Sequence, residues 1–130
     1  MAYKSGDKRF MISLENKSMK WSADQVDIAA LRNFSSAEAA KLDMEGKENT
    51  RIIVEHYGAD TDVSTNAAVY CYNYAPEALS ETKGQWYLPA AGEAYLSYYA
   101  NNTMINKGLK TLGLTNLGDR HWSSSEYDSY

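Results

Sequence analysis

The sequence predicts a single α+β domain, and three observations carry that prediction. Short runs of strand-forming residues lie toward both ends, at Phe10-Met11-Ile12-Ser13-Leu14 and His121-Trp122-Ser123-Ser124. Between them, several segments repeat apolar residues at helical spacing. A third short run, Gln85-Trp86-Tyr87-Leu88, lies between Gly84 and Pro89 and has the form of a buried strand stopped by proline. Strands gathered at the ends of a helical middle point to α+β rather than to alternating βαβ units. At 130 residues the chain fits one domain able to bury a core without disulfides or metals.

In chain order, Phe10–Leu14 is the first expected strand, Glu15-Asn16-Lys17 a turn, and Lys17–Ser22 a second strand by its alternation. From Ala23 to Leu31 the pattern of Val26, Ile28 and Leu31 fits either a loop pinned to the core or one or two helical turns, and is taken as irregular. Ser35-Ser36-Ala37-Glu38 has the Ser-x-x-Glu form of a capping box with Ser35 as N-cap, opening a short helix that ends near Gly46. Asn49 or Thr50 caps a second helix, with Ile52, Ile53 and His56 or Tyr57 on its core face and Gly58 closing it.

Ser64–Tyr74 favours a third helix, with Ala67, Ala68, Cys71 and Tyr72 three and four apart and Pro76 beyond its end. Cys71 then reads as a small buried apolar residue. Ser80–Gly84 is a polar loop. Ala90–Tyr99 is a helix starting after Pro89, with Ala91, Ala94, Tyr95 and Tyr98 or Tyr99 on one side. Asn101-Asn102-Thr103 interrupts it before an amphipathic helix marked by Met104, Ile105, Leu109 and Leu112 and ended at Gly113. Leu114–Arg120 is a loop, His121–Ser124 a last strand, and Ser125–Tyr130 a polar tail.

Composition limits the function classes. The formal net charge is −4 and no Lys/Arg cluster stands out, which disfavours nucleic acid and anionic lipid as partners. No segment approaches the roughly twenty apolar residues of a spanning helix, so membrane insertion is not expected. Met1–Asp7 lacks the apolar core of a signal peptide, although a domain cut from a longer secreted or virion protein would look the same. One cysteine excludes an internal disulfide. Eleven Tyr and three Trp against two Phe make the aromatic set amphipathic, suited either to a mixed core or to a recognition surface.

The segments Gly84-Gln85-Trp86-Tyr87-Leu88-Pro89, Gly92-Glu93, Ile105-Asn106-Lys107 and Trp122-Ser123-Ser124-Ser125-Glu126-Tyr127 resemble the C-type-lectin-like domains of the DUF1566 and Fibrobacter major-paralogue type. Trp21-Ser22, Val26-Asp27-Ile28 and Gly46–Thr50 fit the pattern as found in gut Bacteroidales and their phages. The resemblance covers the chain from about Phe10 onward. It implies a small antiparallel sheet with two or more helices and long loops. It also implies a non-enzymatic adhesin or receptor-binding module on a bacterial surface structure or phage particle, binding a protein or glycan receptor. Some relatives are variable proteins of diversity-generating retroelements, whose diversified stretch lies at the C-terminal end. By that resemblance Tyr127, Asp128, Ser129 and Tyr130 are the expected ligand-binding residues. Trp86, Leu88, Pro89, Trp122, Ser123 and Ser124 are the expected structural motif, with both indoles in the core. Related domains continue into further strands past this stretch, so the last strands are expected either to be missing or to be supplied by a partner chain or a second copy. The runner-up is a structural pilus or virion subunit that mainly self-assembles.

Other chemistries find less support. The lectin motifs Glu-Pro-Asn, Gln-Pro-Asp and Trp-Asn-Asp are absent, and Asp60 and Asp62 are the nearest approach to a carboxylate cluster for calcium. No metal or cofactor is expected. The formylglycine-generating oxidases that share the broad fold resemble copper enzymes working through a cysteine pair, and Cys71 has no second cysteine. His56 and His121 would serve a metal or triad only if brought together with Cys71 or a carboxylate, and His56 reads as a core residue. Asn16, Asn33 and Asn101 match the glycan-acceptor pattern by chance. Glu93, just inside the helix after Pro89, is expected to satisfy free backbone N–H groups there.

Overall fold

Five α-helices and four short strands make this an α+β protein in a computed structural model that describes residues 2–5, 7–118 and 120–127, without the side chains of Tyr3, Ser5 and Tyr127. β1 (Ala2–Ser5) and β2 (Lys8–Met11) form an antiparallel hairpin. β3 (Asn33–Phe34) pairs in parallel with β4 (Glu126–Tyr127), Asn33 opposite Glu126 and Phe34 opposite Tyr127. These are separate two-stranded ladders. The helices are α1 (Ala37–Ala40), α2 (Gly46–Tyr57), α3 (Ala67–Asn73), α4 (Ala91–Ser97) and α5 (Asn102–Thr111), with 3₁₀ turns at Glu77–Thr82 and Tyr99–Asn101.

The strand readings need the most correction. Only Phe10 and Met11 of the first expected strand are paired, and 17–22, 85–88 and 121–124 join no ladder. Side chains take the ladder's place. The Trp21 indole Nε1 donates to the Ser123 carbonyl at 2.8 Å, and the Trp122 Nε1 donates back to the Met19 carbonyl at 2.8 Å. Two reciprocal indole bonds thus tie 19–21 to 122–123. Leu88 makes its strand-like pair with one hydroxyl: Thr50 Oγ1 accepts from Leu88 N at 3.0 Å and donates to Leu88 O at 3.2 Å. The expected 15–17 turn is replaced by a bend at Leu14, where Glu15 N donates to Ser13 Oγ, and the expected polar loop 80–84 is largely 3₁₀.

The helices lie near their expected positions, with shifted ends. Ser36, not Ser35, caps α1: its Oγ accepts from Ala39 N at 3.1 Å, and Glu38 pairs with Lys41 at 2.7 Å instead of closing a box. Gly46 does not end that helix; it starts α2, because no side chain fits there. A Cβ on Gly46 would overlap the Glu93 carboxylate and lie 2.6 Å from Ala90 N. Asn49 and Thr50 are buried inside α2 rather than capping it. α3 starts later than expected, capped by Asn66, whose Oδ1 accepts from Val69 N at 3.0 Å. Gly58 and Gly113 end α2 and α5 at φ +93° and +70°, where glycine is favoured.

The main core gathers Ile28 and Leu31 from the irregular 23–31 segment, Ile53 from α2, Ala67 and Ala68 from α3, and Leu88, with Met19, Trp21, Ile52, Tyr57 and Cys71 against it. A second cluster of Tyr98, Ile105, Leu109 and Leu117 seats α5. His56, expected in the core, is instead exposed at the end of α2, with its ring edge-on to Tyr57. Among the described residues no helix is long and apolar enough to cross a membrane.

Candidate functional site

The two tryptophan segments meet through a buried polar knot. Ser124, fully buried, donates its N–H to the Pro89 carbonyl at 2.8 Å, joining the end of one motif to the middle of the other. Ser125 Oγ accepts from Ala91 N at 2.9 Å and donates to Asp43 Oδ2 at 2.6 Å. Asn49 Nδ2 also donates to that carboxylate oxygen, at 2.8 Å, and reaches Ser124 Oγ at 3.4 Å. Asp43 Oδ1 takes the Glu45 N–H, and the Asp43 carbonyl takes Gly92 N. Asp43 therefore links the start of α2, the start of α4 and the C-terminal segment.

Glu93 does what its place in the sequence predicts, and more. Its Oε2 accepts from Ala90 N at 3.0 Å, at the start of its own helix, and from Gly46 N at 3.2 Å, at the start of α2. One carboxylate serves two helix N-termini, each with partial positive character. Glu93 is only 4 % exposed, and burial raises its pKa above the ordinary carboxylate value, against the opposing N–H bonds and the charge of Lys8. Burial, followed by the charge of Glu93, pushes the Tyr87 phenol up to about 12. Asp43, Asn49, Ser125 and Glu93 each hydrogen-bond within the fold, as buried polar groups ordinarily do.

Function has room beside the knot. Lys20, Trp21, Ser22, Asp24, Gln25 and Val26 form one wall of a groove of about 550 Å³, and His121, Trp122, Ser123, Ser125 and Glu126 form the other. Trp122 is 51 % exposed, which corrects its expected place in the core, while Trp21 is half-buried. His121 is held by Tyr99 Oη at Nδ1 (3.2 Å) and by Asn16 Oδ1 at Nε2 (3.2 Å). Glu126 Oε1 accepts from Ile28 N at 3.3 Å, while Oε2 is buried with no hydrogen-bond partner among the described residues. Burial raises the Glu126 pKa, Asp27 adds to the rise, and the Ile28 N–H and His56 oppose it.

Of the expected ligand residues, the backbone of Tyr127 lies in β4 beside Phe34; its side chain, and Asp128, Ser129 and Tyr130, lie outside the described residues. Leu88 is buried and Pro89 and Ser123 are half-buried. Trp86 is half-buried, edge-on to Tyr74 at 5.1 Å and donating to Thr82 Oγ1. With Tyr72, Tyr87, Lys47 and Arg51 it lines a second, smaller hollow of about 420 Å³. Sequence reasoning missed Asp24 and Lys20 as groove residues, and Asp43 as the centre of the knot. Local spacing gives no pointer to the contacts that matter, since Asp43 meets Ser125 82 residues away and Trp21 meets Ser123 102 residues away.

Among the described residues no three of His, Cys, Asp and Glu gather closely enough to hold a metal ion. Asp62 is occupied locally, its Oδ1 accepting from Ser64 N at 2.9 Å, and this bond holds its carboxyl below the ordinary value. Burial pushes the Cys71 thiol up to about 12, far from a reactive thiolate. Asn33 donates to Asp27 and Asn101 to the Leu96 carbonyl. A scan against protein-family models, a search of curated proteins and a search of solved structures each returned no match to this chain.

Proposed function

We propose that this chain is a non-enzymatic C-type-lectin-like binding module, displayed on an extracellular, cell-surface or virion structure, which holds a receptor beside its C-terminal segment. One observation carries the reading: Trp122 presents half its surface to a groove whose other wall is the 20–26 segment, while the residues just after it are locked in the knot. A rigid base beneath an exposed indole suits a contact surface, because large aromatic area is presented at little entropic cost. The meeting of the Gly84–Pro89 and Trp122–Glu126 segments at Ser124 supports the family resemblance. The parallel β3–β4 pair and the lack of a larger sheet among the described residues weigh against a full lectin-type sheet. An oxidase reading has a single thiol, held protonated by burial.

A specific observation favours the self-assembling alternative as second reading: Met104 on α5 and Leu112 just past its end are 66 % and 73 % exposed. Binding of the protein to glycan arrays and to surface preparations of gut bacteria, measured with wild type and Trp122→Ala, decides between them. The binding module predicts a saturable ligand lost in Trp122→Ala, with stability falling by about 2–3 kcal/mol for the lost indole bond to Met19 and the buried half of the ring. Undiminished binding by Trp122→Ala would overturn it. Concentration-dependent growth in light scattering, abolished by Met104→Ser with Leu112→Ser, would instead establish self-assembly.

A further inference from the structure

We infer that the groove lined by residues 20–26 and 121–126 takes a basic side chain, the guanidinium or ammonium of an Arg or Lys on a protein partner, beside Trp21, Trp122 and Glu126. The inference rests on the groove being the binding face. Three features select a cation.

The first is that four of the groove's side-chain donors are spent inside the fold. Both indole N–H groups bond to backbone carbonyls, of Ser123 and of Met19. The Ser22 hydroxyl donates to the Asp24 carbonyl and the Ser125 hydroxyl to Asp43. What the rings offer a ligand is their π surface, whose negative potential attracts cations.

The second is the Glu126 carboxylate. Glu126 lines the groove and is 9 % exposed, with Oε2 lacking any hydrogen-bond partner among the described residues. Buried acceptors are ordinarily satisfied, and an unsatisfied one is costly. No basic side chain forms an ion pair with it among the described residues; the ion pairs found there join Lys41 to Glu38 and Arg51 to Glu48 and Glu55. Oε2 is itself sealed from solvent, so a cation in the groove acts on this charge through space rather than by a hydrogen bond.

The third is the balance of the lining. Asp24 and Glu126 face Lys20, whose exposed chain is free to turn to solvent. Asp27 adds negative charge close to Glu126, and His56 is the neighbouring group that opposes it. A volume of about 550 Å³ admits one long side chain with its neighbours, not a folded domain.

The test uses the whole chain, labelled with ¹⁵N and titrated with N-acetyl-arginine methylamide, N-acetyl-lysine methylamide, the neutral N-acetyl-norleucine methylamide and methyl glycosides. The three indole N–H resonances are the readout. The Trp21 and Trp122 signals should move saturably with the arginine and lysine amides and not with norleucine, while Trp86 stays fixed as the internal control. Glu126→Gln, which keeps the acceptor for Ile28 N, should weaken the arginine amide about tenfold, the scale of a desolvated charge contact. Asp24→Asn, on the exposed rim, should weaken it less. Movement of Trp21 and Trp122 by glycosides but not by cations would overturn the basic side chain and leave the groove as binding face. No movement with any probe, together with undiminished receptor capture by Trp122→Ala, would overturn both. Equal binding by wild type and Glu126→Gln would overturn the role of the carboxylate and with it the proposal.

Discussion

Two glycines in helices should respond to the same substitution with opposite signs, and the reason is geometric. Gly92 lies in the first turn of α4 and Gly108 in the interior of α5. By intrinsic propensity alone, Gly→Ala stabilises a helix interior by about 0.5–1 kcal/mol. At Gly108 nothing lies within 4 Å of the added methyl, so that gain should be realised. At Gly92 the methyl would lie 2.5 Å from the Asp43 carbonyl oxygen, nearer still to that of Lys41, and 2.9 Å from Met44 Sδ. Two of these neighbours are backbone atoms that cannot rotate away, and Asp43 O already accepts the Gly92 N–H at 3.0 Å. Overpacking of this kind costs about 1–3 kcal/mol, and here it also pulls on the Asp43 bonds to Asn49 and Ser125. Gly92→Ala should therefore lose about 1–3 kcal/mol net of propensity while Gly108→Ala gains up to about 1 kcal/mol. In thermal melts followed by far-UV circular dichroism, about 3–5 °C per kcal/mol is expected for a domain of this size. Gly92→Ala should melt lower than wild type and Gly108→Ala slightly higher. If both variants rise together, the close approach of α4 to the 41–44 turn is wrong, and the knot built on it fails as well.

Two further outcomes bear on the buried groups. Glu93→Ala leaves the Ala90 and Gly46 N–H groups without an acceptor and should cost about 2–5 kcal/mol in urea denaturation, whereas Glu93→Gln keeps an acceptor and should cost far less; equal losses would refute the two-donor geometry. Because the folded-state pKa of Glu93 is raised, the native state holds its proton longer than the unfolded chain, so stability should fall as pH rises from about 4.5 and then level off. Glu93→Gln should flatten that slope and leave the part owed to Glu126, which is raised in the same direction. Cys71, its thiol pushed up to about 12, should react with a disulfide reagent at pH 8 about a hundredfold or more slowly in the folded protein than in urea; equal rates would show that α3 does not shield it.

Helices were more legible than strands, for a physical reason. Ile53, Ala67, Ala68, Ala94, Ile105 and Leu109 recur at helical spacing and are buried as expected, because helical periodicity is written within one segment. Strand identity depends on a distant partner. The apolar run 85–88 found only the Thr50 hydroxyl, and 17–22 found the Trp122 indole, so neither became a ladder strand. Gly46 misled in a related way: a glycine after a short helix looks like a stop, but here it marks the approach of the Glu93 carboxylate from 47 positions away. Glu93 itself was legible because half of its task, the Ala90 N–H, is local.

The candidate site was half legible, and the division falls inside one short stretch. From Trp122 to Glu126 the chain turns from exposed to buried within four residues. Ser124, Ser125 and Glu126 each bond inward, to Pro89, to Asp43 and Ala91, and to Ile28. Trp122 donates its N–H to Met19, is about half exposed and lines the groove. A pattern of indole followed by small hydroxyls therefore encodes two jobs that composition cannot separate, because Trp is suited to either core or contact surface. The hydroxyls settle it. Ser124 and Ser125 are tied to Pro89, Ala91 and Asp43, so the segment cannot slide inward to bury Trp122 without breaking those bonds. The exposure of Trp122 follows from the anchoring of its neighbours, and the groove beside it inherits their rigidity.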